Sequence, residues 1–300
     1  MTRAGRARYA EGGSGPRGGE AIASILIVGC GYVGTSLARA LIARGHSVFG
    51  TTRSPSRIDT LRREGLTPVL LDLLQPSLSL PAADRIYVLV SGTRDGTLPR
   101  GLENLLRTLR DRKPERLIYT SSTAVYGEYA GGWVDEGSAR QASHPAGLAL
   151  IRAEDLLLSS AELGGLPGIL ARVSGIYGPN RIPGRDRIMK GEPVPGDAGV
   201  YLNLIHVDDL VSGLMALAER GRVGETYLFS DDLPVKREEY YRFLAGCLNA
   251  PQAIFGGKSS EERTGSRRCQ NSKITQDLAL MLKFPSYREG LSALLGGGGG

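Results

Sequence analysis

Six short runs, SILIVG, HSVFGTT, TPVLLDL, RIYVLV, RLIYTSS and GILARVSG, are almost wholly apolar, and helix-length segments such as YVGTSLARALIARG and LENLLRTLRDR separate most of them. A strand that is apolar on both faces must be covered on both faces, and helices between successive strands demand crossovers rather than hairpins. Right-handed crossovers then give a doubly wound parallel α/β sheet, expected over residues 23–180. From about Arg181 the rhythm changes. NRIPGRDRIMKGEPVPGDAG is rich in Gly, Pro and charge and reads as a loop with one helical turn. YLNLIHV and TYLFSD follow as strands, DDLVSGLMALAE and VKREEYYRFLAGCLN as helices, and SKITQDLALML and YREGLSALL as two short helices. Residues 181–295 are therefore expected to form a smaller α/β lobe over the C-terminal edge of the sheet.

At 300 residues and 41% apolar content the chain can bury a core of ordinary size. No apolar run approaches the roughly 18 to 20 residues needed to span a bilayer, so no membrane partner is expected. Residues 1–22 are rich in Gly and Arg without an apolar stretch, which excludes a secretory signal. Glu11 and Glu20 argue against a transit peptide, leaving a disordered extension, and the closing GGGGG reads as a flexible tail. Cys30, Cys247 and Cys269 are widely separated with no CxxC pairing, so neither a disulfide framework nor a metal site follows. A reducing, cytoplasmic location fits that count. The net charge is +6, carried largely by the N-terminal segment and the TGSRRCQNSK region. Without a basic stripe interleaved with aromatics, no nucleic-acid partner is expected; the arginine surplus suits phosphate-bearing ligands.

GCGYVG places Gly29, Gly31 and Gly34 directly after the SILIV strand and at the start of the next helix. The first glycine permits a tight turn, the second lets backbone approach a pyrophosphate, and the third allows helix and strand to pack closely. Tyr32 and Val33 open that helix, whose N-terminal N–H groups would face the pyrophosphate. The second strand of such a site normally ends in Asp or Glu, which binds the adenosine ribose. Here the place falls on Thr52, followed by Arg53, with Arg57 nearby. A carboxylate repels a 2′-phosphate and a guanidinium binds one, so NADP is favoured over NAD. Asp72 and Leu73 are expected at the adenine edge, and Val90 and Ser91 at the end of RIYVLV beside the cofactor.

GCGYVG, LIYTSSTAVYG, ARVSGIYGPNR and NLIHVDDL occur in the order found in extended short-chain dehydrogenases/reductases, and the chain resembles that family over roughly residues 23–290. Within it, the chain is most similar to an atypical branch of the NAD-dependent epimerase/dehydratase-like proteins. The resemblance makes Ser122, four residues before Tyr126, the catalytic serine that hydrogen-bonds the reacting oxygen. Thr123, Tyr126, Ser174, Arg181 and Arg187 are the candidate substrate contacts. The family's acid is a Tyr with Lys four residues later on one helix face, the ammonium drawing the phenol pKa down. Counted back from Glu154, those places hold Ala146 and Leu150. Both members are replaced together by apolar residues, which leaves a self-consistent apolar face rather than a stranded cation.

Among substitutes, His144 precedes the helix, Thr123 offers a hydroxyl with no useful pKa, and Tyr177 sits near the pocket; none is assigned as the acid. Asn is usual where Ser174 stands, and Arg-Asp where Leu202-Asn203 stand, so recognition of a nucleoside diphosphate sugar is in doubt. His206 and Asp208 match the family, Asp208 reading equally as an N-cap, and Arg181, Arg185 and Arg187 suit an anionic substrate. The leading expectation is an NADP-dependent oxidoreductase or epimerase of the atypical branch, acting on a small polar or sugar-like carbonyl or alcohol. Its alternatives are a catalytically silent NADP(H)-binding sensor or scaffold, and a conventional nucleotide-sugar epimerase or dehydratase. The partners expected are a small-molecule substrate and, as a candidate assembly, a homodimer.

Overall fold

A computed structural model describes residues 21–90, 96–163, 165–256 and 265–296; residues 1–20 of the expected extension, Ser91 and the last four glycines lie outside it. Seven strands form one sheet: β1 (Ser24–Val28), β2 (Ser47–Thr52), β3 (Thr67–Leu70), β4 (Arg85–Val88), β5 (Arg116–Ser122), β7 (Gly168–Val173) and β11 (Thr226–Phe229). Their order is β11-β7-β5-β4-β1-β2-β3, and every pairing is parallel. The order reverses between β1 and β4, and the mouth of that crevice lies at the C-terminal ends of the strands. This is the doubly wound, Rossmann-like sheet that the apolar runs predict.

Side chains alternate across the sheet with period two. Ile25 and Ile27 meet α1 (Tyr32–Ala43) and α6 (Val207–Arg220) through Leu37, Leu41, Leu210 and Leu214. Leu26 and Val28 meet α3 (Leu98–Leu109) and α4 (Pro145–Glu162) through Leu102, Leu105, Leu150 and Leu157. The short helix α2 (Ile58–Arg63) joins β2 to β3. The second half of the chain re-enters the sheet as its edge strand β11, while α6 packs beside α1. Around that strand lie α5 (Arg185–Met189), α7 (Arg237–Cys247), α8 (Ser272–Leu278) and α9 (Tyr287–Leu295). A third, tyrosine-rich core holds α5, α7 and α9, with Tyr240 5.3 Å from Tyr241 and 5.5 Å from Tyr287 between ring centroids, while α8 packs into the first core through Ile274 and Leu278.

YLNLIHV does not form a single strand. It divides at Asn203 into β9 (Tyr201–Leu202), antiparallel to β12 (Val235–Lys236), and β10 (Leu204–His206), parallel to β8 (Gly175–Tyr177). The break has a cause: the Asn203 amide donates to the Arg267 carbonyl at 3.0 Å and accepts from the Cys269 N–H at 2.7 Å. It thereby pins β13 (Arg267–Cys269), which runs parallel to β6 (Gly132–Val134).

Beneath β6 lies a buried charge network. Glu154 on α4, fully buried, takes the Arg172 guanidinium at 2.9 Å and that of Arg140 at 3.3 Å. Arg172 also donates to the Tyr126 hydroxyl at 3.1 Å and the Glu136 carbonyl at 3.0 Å. Removing one partner of such a buried pair strands the other charge, so Glu154→Gln is expected to lower the urea-unfolding free energy by about 3–5 kcal/mol. In the third core, burial pushes the Asp231 carboxyl well above the usual carboxylate range. Its stabilising contribution is therefore fully present below the unfolded pKa near ~4 and is lost as pH rises toward the folded value. The melting temperature should fall over that rise, and Asp231→Asn should flatten the slope.

Candidate dinucleotide and substrate site

The glycine turn leaves β1 through Gly29, whose φ of +101° is open to glycine at no steric cost. Thr51 of β2 holds it: the Gly29 N–H donates to Thr51 Oγ1 at 2.9 Å, and the Cys30 N–H to the Thr51 carbonyl at 3.0 Å. A Cβ at Gly34 would run into the Gly29 carbonyl oxygen, so this glycine sets how closely α1 meets the turn. A Cβ at Gly31 would meet nothing within 4 Å. It would project into open space at the N-terminus of α1, which has no side-chain cap and no acid in its first turn. Outward N–H groups beside such a gap form a cradle that fits the pyrophosphate of a dinucleotide.

On one side of the cradle lies a cavity of about 260 Å³ lined by Thr52, Arg53, Arg57, Asp72, Leu73 and Val90. The tip of β2 bears no carboxylate, and Thr52 Oγ1 is occupied by the Ser54 N–H at 3.1 Å. Arg53 is exposed, whereas Arg57 is half-buried on the 3-10 turn before α2. Asp72 shapes its own bend, accepting from the Leu74 N–H at 3.0 Å, while the Asn104 amide donates to the Leu73 carbonyl at 2.9 Å. Burial pushes the Cys30 thiol up to about 12, Arg57 partly opposing, so this cysteine is no nucleophile.

On the other side a second cavity, of about 480 Å³, shares Gly29, Gly31 and Val90 with the first. Tyr32, Val33, Gly34, Ser122, Ala146, Leu150 and Arg181 line it. Ser122 ends β5 and caps the following 3-10 turn; its oxygen accepts from the Ala124 N–H at 3.2 Å, so the hydroxyl proton is left to donate. The places where the resemblance puts Tyr and Lys present a methyl and an isobutyl group to this cavity. His144 lines its rim as the N-cap of α4, with Nδ1 accepting from the Gly147 N–H at 3.0 Å and Nε2 shielded from solvent. It is a cap rather than a loop histidine free to swing.

The remaining candidates disperse. Thr123, Tyr126 and Ser174 are buried outside the cavity lining. The Tyr126 phenol donates to the Asp135 carbonyl at 2.6 Å and burial raises its pKa, which makes it a packed support. Tyr177 is fully buried, its hydroxyl donating to the Ser286 carbonyl at 3.3 Å. Arg187 does not join Arg181: its Nη1 donates to the Pro193 carbonyl at 2.9 Å and lies 3.5 Å from the Glu192 carboxylate. The N-cap of α6 is His206, not Asp208, which meets the Lys283 ammonium at 3.2 Å. Thr51, which holds the glycine turn, is a position that sequence reasoning misses, although the paired threonines of FGTT mark the strand end facing the turn.

Among the described residues no group of three or more His, Cys, Asp or Glu could hold a metal ion, and no helix is long and apolar enough to cross a membrane. The chain is 28% identical over 277 residues to protein YeeZ of Escherichia coli, covering 87% of this chain and 96% of that one. It is 27% identical over 305 residues to a 3-diazoavenalumate denitrifying reductase from a Streptomyces species, covering 89% and 98%. A conserved protein of unknown function from Silicibacter pomeroyi shares the fold with a TM-score of 0.80 at 27% identity, covering 92% of this chain and 99% of that one. A family model matches residues 25–229, and the chain belongs to the NAD dependent epimerase/dehydratase family.

Proposed function

We propose that this chain is an NADP(H)-dependent oxidoreductase acting on a small polar carbonyl or alcohol. One observation carries the proposal: two cavities meet over the glycine cradle, one reaching Arg53 and Arg57, the other ending at the Ser122 hydroxyl. When bound, the nicotinamide supplies or accepts the hydride. Ser122 donates a hydrogen bond to the reacting oxygen and fixes the carbonyl for attack. Ala146 and Leu150 supply no proton, so the product oxygen takes its proton from water. The missing acid costs roughly 10² to 10⁴ in rate, which positioning can leave measurable. Arg53 and Arg57 meet the adenosine 2′-phosphate, where a carboxylate at Thr52 would repel it. Residues 23–180 hold the cofactor and present Ser122 to the substrate, and residues 181–295 close the substrate side while also lending β11 and α6 to the main sheet. The 3-diazoavenalumate relative, by its name a reductase, supports hydride chemistry on this scaffold.

Cofactor binding without turnover is the second reading, favoured by the apolar pair at 146 and 150. Titration with NADPH and NADH tests the first half of the proposal. NADPH should bind at least about tenfold tighter, or ~1.4 kcal/mol, and the double substitution Arg53→Ala, Arg57→Ala should erase that preference while NADH affinity holds. Binding of neither cofactor sinks both readings. On any carbonyl substrate found in a reductase screen, Ser122→Ala should lower kcat on the order of 10²-fold with NADPH affinity unchanged. An undiminished kcat removes Ser122 from the chemistry.

A further inference from the structure

Arg181 stands where the Ser122 cavity opens into an outer cleft of about 850 Å³, and it lines both. Several contacts hold it there. Its backbone pairs in both directions with Gly178, at 2.9 and 3.0 Å, closing a turn in which Asn180 takes a left-handed φ of 61°. Its Nε donates to the Ile176 carbonyl at 2.9 Å. Its guanidinium carbon lies 5.6 Å from the centroid of the Tyr32 ring, and the Tyr32 hydroxyl donates to the Pro179 carbonyl at 3.0 Å. Tyr32 belongs to the glycine turn itself, so this stack ties the cofactor cradle to the substrate side.

These contacts use Nε and one face of the guanidinium and leave both Nη nitrogens uncommitted. A planar fork held in this way is built to receive an oxyanion through two parallel hydrogen bonds. The acids nearby are engaged elsewhere: Asp186, in the same cleft, lies 3.7 Å from Arg185, and Asp208 meets Lys283. Ile176, Ile182, Leu294 and Leu295 give the cleft apolar walls, and Asn180 lines it beside them. With Arg185 offset by Asp186, the cleft offers one net guanidinium charge. That matches a monoanion with an apolar body, and Asp186 would oppose a dianionic phosphate.

We infer that the substrate of this site is a carboxylate-bearing carbonyl compound whose carboxylate is received by Arg181 while its carbonyl reaches Ser122. The inference rests on the oxidoreductase reading. It assigns the substrate class from the cleft rather than from the cofactor.

The test is calorimetric titration of the full chain, first with NADP+ and then, in the NADP+-loaded state, with 4-formylbenzoate, its methyl ester and 4-formylphenyl phosphate. The carboxylate should bind at least about tenfold tighter than the ester and no more weakly than the phosphate. Arg181→Gln should equalise carboxylate and ester. Arg181→Lys, which keeps the charge without the fork, should retain part of the preference, and unchanged NADP+ affinity in the Gln variant shows that its loss is not misfolding. Equal affinity for carboxylate and ester, binding of neither, tighter binding of the phosphate, or a preference that survives Arg181→Gln overturns the inference. Failure of NADP+ itself to bind is a separate result that removes the oxidoreductase reading and this inference with it.

Discussion

Everything in the candidate site depends on how closely α1 approaches the turn that follows β1. The contact between Gly34 and the Gly29 carbonyl sets that distance, and the two bonds from Thr51 keep the turn from sagging away from β2. With the helix so placed, its first N–H groups open into the gap over Gly31, and both cavities take their position from that gap. Arg57 approaches it from the 3-10 turn that follows β2, and Ser122 from the C-terminal end of β5. A parallel sheet delivers all such ends to one edge, so residues far apart in sequence converge without long loops.

Where the resemblance expects a phenol and an ammonium, the helix presents a methyl and an isobutyl group, and the cavity around them is consistent with an apolar face. Ala146 and Leu150 extend the apolar wall that Val90 begins, and no cation is left stranded. The groups that remain polar are mostly engaged in structure. His144 caps α4, Tyr126 supports Arg172, and Thr52 closes its own turn. Among the polar groups that face the two cavities are the Ser122 hydroxyl, the Asp72 carboxylate and the guanidinium groups of Arg53, Arg57 and Arg181. Such a site carries guanidinium groups at its ends around a mostly apolar middle.

The sheet was legible because almost wholly apolar runs between amphipathic segments admit few arrangements, and the glycine spacing marked the turn between the first run and its helix. The lining of the cavity beside the glycine turn was legible for the same reason, since Thr52 ends β2 and Arg53, Asp72 and Leu73 follow strand ends at short range. The substrate side was read less well. Tyr126 and Ser174 lie near the pocket in sequence pattern but point into the core, and Arg187 turns to Pro193 on a five-residue helix whose facing no periodicity could fix. β6 and β13 are three residues each and pair across more than a hundred positions, so neither carries a local signal. The division of YLNLIHV follows from one amide at Asn203 bonding a strand that the sequence does not announce.

Glu154 adds a consequence of a different kind. It fastens α4 to β7 through Arg172 one turn beyond Leu150, by a contact that involves neither Ala146 nor Leu150. Registration of the helix over the cavity is thus held by one set of residues, and what the helix displays to the cavity by another. A scaffold divided in this way lets the displayed face be rewritten while the frame stays aligned, and the same division would let a phenol and an ammonium be installed there in register with Ser122.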